Sequence, residues 1–141
     1  IFAASAHNLE ALRDVRIASA LGDGPGDAKP NLLLFTRSRL ATEALVADID
    51  GTRRLVVDSG MLQLLPENLQ PLASKFDSDL TALALSIASL EPDLATAVQS
   101  PDGYATMEKA VVQVRAAEHL LTREVAPALN LSAGFSSLDG D

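Results

Sequence analysis

The chain has no cysteine and no tryptophan, and aromatic residues fill only 4% of its 141 positions. Without thiols there is no disulfide, no thiolate metal site and no cysteine nucleophile. With four Phe and one Tyr as its only aromatic residues, the core must be built from Leu, Val, Ile and Ala. Positive charge is also short: 11 Lys and Arg face 19 Asp and Glu, for a net charge of −8. That sign disfavours nucleic acid and anionic membrane surfaces, and it favours cations or basic partners. No apolar run approaches the roughly 18 residues of a membrane span, and no stretch reads as a secretory signal peptide. The chain opens at Ile1, without Met and already in helical sequence. We expect a mature fragment, the C-terminal part of something longer.

Hydrophobic residues nonetheless make up 48% of the chain, enough for a core. They are dominated by strong helix formers, while β-formers are thin. The length suits one domain, residues 1–141. Four amphipathic segments are predicted. The first runs from Ile1 to Leu21 and stops at the Gly- and Pro-rich stretch 22–27. The second runs from about Leu33 to Ser59, with a stripe of Leu34, Ser38, Ala41, Leu45, Ile49, Thr52 and Val56, and with Gly60 as its stop. Gly51 inside it points to a close helix contact or a slight bend. The third starts near Pro66 and carries the cleanest stripe: Leu69, Leu72, Phe76, Leu80, Leu83, Ile87 and Leu90. The fourth starts at Ser100-Pro101, an N-cap followed by a first-turn proline, and closes near Pro127–Asn130. The expected fold class is all-α, an antiparallel up-down four-helix bundle.

Several polar groups stand out on these helices. His7 and Glu10, at i and i+3, share one helix face, so that both could reach a single ion. Imidazole with carboxylate suits zinc, iron or copper, with iron or zinc the expected ion, although a complete site needs more ligands. Arg13 continues that side and faces Glu10, whereas Asp14 is its sequence neighbour and points about 100° away. Arg37, with Ser38 and Arg39, is expected near the start of the second helix, where a cation opposes the helix dipole and calls for an anionic partner. Glu118 interrupts the fourth stripe between Val114 and Leu121. There it is either a paired interior carboxylate or the edge of a stripe that drifts to Ala117 and Leu120. No Gly-x-Ser-x-Gly, P-loop or His-Glu-x-x-His motif is present.

The closing segment, Leu129 to Asp141 with Gly134-Phe135-Ser136-Ser137-Leu138-Asp139-Gly140-Asp141, resembles the C-terminus of imelysin-like proteins. The segment Ala6–Arg16 and the patches Phe35-Thr36-Arg37-Ser38 and Val57-Asp58-Ser59-Gly60 are similar to that family in the same order. The resemblance implies an exported protein, periplasmic or attached to the outer membrane as a lipoprotein through an N-terminal anchor. It implies two helical bundles with a candidate site between them, this chain being the second bundle and the N-terminal half its partner. Ser5-Ala6-His7-Asn8-Leu9-Glu10 copies the spacing of the family's Gly-x-His-x-x-Glu signature, with Ser in place of Gly. The implied roles are iron handling or uptake with a metal ion or small ligand bound, a metallopeptidase of the M75 type, or a supporting bundle.

Overall fold

The third stripe forms the best-defined helix. The computed structural model describes residues 1–131, and in it Phe76, Leu80, Leu83 and Ile87 are fully buried along α3, the third of four long helices (Gln70–Ala88). Each such burial contributes about 1.5–3 kcal/mol. Leu69, Leu72 and Leu90 close against the same core. The helix begins later than Pro66 because Pro66 is extended (ψ 150) and Glu67–Leu69 wind as a 3-10 turn. Pro71 takes the first-turn position instead.

Helix α1 spans residues 2–21 and buries Phe2, Ser5, Leu9, Leu12, Ile17, Ala20 and Leu21. The step from Leu12 to Ile17 is five residues, which in a regular α-helix would turn Ile17 about 140° away from Leu12. Leu12–Ala18 is instead a π-helical segment, whose wider turn absorbs the extra residue. Helix α4, residues 101–128, contains a second π-helical segment at Leu120–Val125. Its start is as expected: Ser100 Oγ accepts a hydrogen bond from Gly103 N at 3.1 Å, and Pro101 lies in the first turn. A single helical turn, Leu94–Ala97, precedes it, capped by Asp93.

Helix α2 (Ala41–Val57) is shorter than expected. Ala41, Leu45, Ile49, Thr52 and Val56 are buried as the stripe requires, but Leu34 and Ser38 are exposed. Phe35 and Arg39 hold left-handed backbones, φ 57 and 58, which a right-handed helix cannot include. Between them Thr36–Ser38 form a 3-10 turn, and the Thr36 hydroxyl lies 2.9 and 2.8 Å from the Pro30 and Leu33 carbonyls it donates to. Gly60 ends the next turn in the left-handed region (φ 74) as expected. α1 packs on α2 and α4, and α3 packs on the same two helices. Every described element is helical, so the all-α bundle is the fold.

Gly51 makes no close contact: a Cβ placed there meets nothing within 4 Å. Because it is exposed and mid-helix, Gly51→Ala is expected to stabilise the chain by about 0.5–1 kcal/mol. A lower unfolding temperature for that variant would contradict the open space seen here.

Candidate functional site

Helix α1 sends Arg13 toward α4 and Arg16 toward α2. One turn in, His7 Nδ1 lies 3.9 Å from Glu10 Oε2, with the imidazole 63% exposed and the carboxylate 30%. One further turn along, Arg13 reaches across to α4 and pairs with Glu118. The same guanidinium holds Asp14 in a two-pronged contact, Nε to Oδ1 and Nη2 to Oδ2, both 2.7 Å. Fork-on-fork pairing of this kind is the strong form of a guanidinium–carboxylate contact. Sequence geometry placed Arg13 opposite Glu10 and turned it away from Asp14. The π-helical winding at 12–18 lessens the divergence between neighbours, and the long arginine arm folds back.

Glu118 sits at the rim of the core. Ala117 and Leu120 are buried on the core side, and the Glu118 side chain keeps 20% of its surface exposed, against 15% for Arg13. Both sequence readings thus hold in part: the stripe drifts past Glu118, and the carboxylate is paired. Its partner is 105 residues away in the chain, which no local pattern could reveal.

The electrostatics follow from these contacts. The hydrogen bonds from Arg13 hold the Asp14 carboxyl below its ordinary range, against the opposing effect of burial and with further help from the charges of Arg13 and Arg115. Arg13 is in turn raised, first by the Asp14 hydrogen bonds, then, against desolvation, by the charges of Glu118, Asp14 and Glu10. The seam therefore holds three carboxylates, Glu10, Asp14 and Glu118, around one guanidinium. That guanidinium fills the place between Asp14 and Glu118 that a cation would need.

His7 and Glu10 remain at the open end of the seam. Their donor atoms are closer than twice a zinc–nitrogen or zinc–oxygen bond of about 2.1 Å, so one ion can touch both. Two donors are not a complete site, and among the described residues no three His, Cys, Asp or Glu side chains gather into a metal-holding group. Ser5, at the position of the signature's Gly, is fully buried, and its hydroxyl donates to the Ile1 carbonyl at 3.0 Å.

Arg37 and Ser38 are not part of this seam. They sit in the 3-10 turn before α2, so the dipole argument that singled out Arg37 does not apply. The Ser38 hydroxyl donates locally to Phe35. Sequence reasoning also missed two further cross-ties. Arg53 on α2 joins Asp50 on its own helix to Asp77 on α3, and Arg16 on α1 faces Asp48 on α2 at 3.4 Å. Arg53 and Asp50 could have been found from their i, i+3 spacing; the contacts between helices could not. The Gly134–Asp141 string lies outside the described residues.

The helices and their charged cross-ties define an all-α bundle with a polar α1–α4 face. A family model described as imelysin, peptidase M75, matches residues 1–121. The chain belongs to the imelysin family. No curated protein and no solved structure matches it. Among the described residues, no helix is long and apolar enough to cross a membrane.

Proposed function

We propose that this bundle is a binding module of an exported imelysin-type protein that handles iron, and that His7 and Glu10 supply two donors to a metal site completed by the N-terminal bundle. The observation that carries this is the His7–Glu10 pair, 3.9 Å apart and open to solvent, beside two carboxylates that share the single charge of Arg13. The residues of this chain alone do not fit a resident metal, since structural sites take about four protein ligands and catalytic ones about three plus water. Binding is therefore favoured over a peptidase: the chain offers neither a three-ligand set among the described residues nor a His-Glu-x-x-His motif. Export to the periplasm, with membrane attachment through an upstream anchor, belongs to the same proposal.

The test is calorimetric titration of zinc and of ferrous iron into this chain and into a longer parent that includes the N-terminal bundle. Weak binding by the chain and tight binding by the parent are expected. His7→Ala and Glu10→Gln in the parent should each lower affinity by about tenfold or more, at least matching the loss typical of disturbing a ligand's supporting shell. Unchanged affinity in both variants would remove this pair from the site.

A further inference from the structure

A cleft of about 250 Å³ opens between α1 and α2. Ala11, Ala47 and Gly51 give it a small-residue floor, and Asn8, Arg16 and Asp48 a polar rim. The floor is kept low at a cost. Gly51 lies in the interior of α2, where glycine is about 1 kcal/mol less favourable than alanine. A Cβ there would meet no atom of this chain within 4 Å, so packing inside the bundle gives no reason for glycine. A side chain at 51 would instead enter the cleft, and glycine is the residue that lets a ligand approach the backbone closely.

The rim is arranged as well. Asn8 and Arg16 are eight residues apart, and regular winding would turn them about 80° from each other. The π-helical segment Leu12–Ala18 takes a wider turn, and both residues line the cleft. Arg16 Nε stands 3.4 Å from Asp48 Oδ2, with 37% and 42% of the two side chains exposed. Among the described residues, the Asn8 side-chain amide, the Arg16 guanidinium and the Asp48 carboxylate make no hydrogen bond, whereas Arg13 and Arg53 each donate several. An exposed pair at that separation adds little to stability, and its hydrogen-bonding capacity is left over for a ligand. A guanidinium with an amide beside it suits a carboxylate, and the aspartate suits an ammonium group. A ligand with one charge only would meet repulsion from Arg16 or from Asp48. A ligand carrying both charges on neighbouring atoms satisfies the two together.

We propose that the α1–α2 cleft binds a small free α-amino acid, its carboxylate on Arg16 and Asn8, its ammonium group on Asp48 and its side chain over Gly51. The cleft lies just below the roughly 300–1,000 Å³ usual for ligand pockets, which suits a short side chain. The proposal is independent of the metal reading, since neither His7 nor Glu10 lines the cleft.

Titration of L-alanine into the chain, followed by NMR with EDTA present to exclude binding through a metal, tests it. The backbone amide signals of Asn8, Arg16, Asp48 and Gly51 should shift saturably at millimolar concentration or below. Acetate and methylammonium, with one charge each, should bind at least about tenfold more weakly, and Arg16→Met should weaken L-alanine binding by about tenfold or more, the size of one hydrogen-bonded charge contact. Gly51→Ala should weaken binding while raising the unfolding temperature, a split that a merely structural glycine would not give. The longer parent with the N-terminal bundle should bind L-alanine as this chain does. No saturable shift at the cleft would overturn the proposal, as would acetate binding as tightly as L-alanine, or affinity unchanged in Gly51→Ala. A parent that no longer binds L-alanine, with the cleft amides newly protected from hydrogen exchange, would also overturn it and assign the cleft to the contact with the N-terminal bundle.

Discussion

Replacing Gly103 with alanine is expected to destabilise the bundle by about 2–3 kcal/mol, the range for forcing extra volume into a packed site. The cause is a close approach at the start of α4. A Cβ on Gly103 would lie 2.0 Å from the Ala97 carbonyl oxygen and 2.6 Å from its carbon. Both are backbone atoms, so no side chain can swing aside. That carbonyl is already fixed, accepting from Ser100 N at 2.9 Å and from Ser100 Oγ at 2.8 Å. Ser100 Oγ also caps Gly103 N. Making room for one methyl therefore disturbs the turn, the cap and the first winding of the helix together. Thermal unfolding should fall by about 10 °C, given the usual relation between stability and midpoint for a chain of this size. Gly51→Ala is the internal contrast: the same change, in a helix of the same bundle, has the opposite expected sign. An unchanged midpoint for Gly103→Ala would mean that the turn yields at no cost.

The second large effect lies at the α1–α4 seam. Arg13→Met should cost about 1–2 kcal/mol, because it leaves Glu118 at the edge of the core with no countercharge. Partial exposure of both groups keeps the figure below that of a fully buried pair. Glu118→Gln should cost less, since the amide still accepts from the guanidinium and carries no charge to strand. The double variant, Arg13→Met with Glu118→Leu, should recover part of the loss, giving a coupling of about 1 kcal/mol in a urea-unfolding cycle. Zero coupling would show that the contact adds nothing to the bundle.

Asp14 supplies an independent readout of the same seam. Its carboxyl titrates below the ordinary range while Arg13 holds it, so its share of stability is present above the unfolded value of about 3.9 and is lost as pH falls through the lower folded value. In Arg13→Met the Asp14 carboxyl should titrate higher, near the ordinary value, by NMR. The acid loss of stability due to this group should shrink accordingly.

What the sequence discloses depends on how local each cause is. The α3 stripe and the Ser100 cap rest on spacings of three and four residues, and both were legible. Glu118 was legible as an anomaly, because a carboxylate in an apolar seam is costly wherever its partner lies. That partner, Arg13, was not legible, since only the tertiary fold brings residues so distant together. The stretch 33–40 misled for a physical reason: its apolar residues fit helical spacing, but the Thr36 hydroxyl competes for nearby backbone carbonyls, and two residues turn left-handed. His7 and Glu10 were legible as a pair on one face, whereas the groups that would complete a site lie on no described part of this chain.

The π-helical winding of α1 has one more consequence. Leu12 and Ile17 share a buried face only because the helix holds one residue more than regular winding needs. Val15, 61% exposed within that segment, is in this sense supernumerary. Shortening the chain by one residue there would return α1 to regular winding and keep both buried faces aligned. The same loss in the middle of α3 would rotate half of its stripe into solvent. The first helix of this bundle is therefore expected to lose one residue at its π-helical segment without changing its core, and the third to lose none.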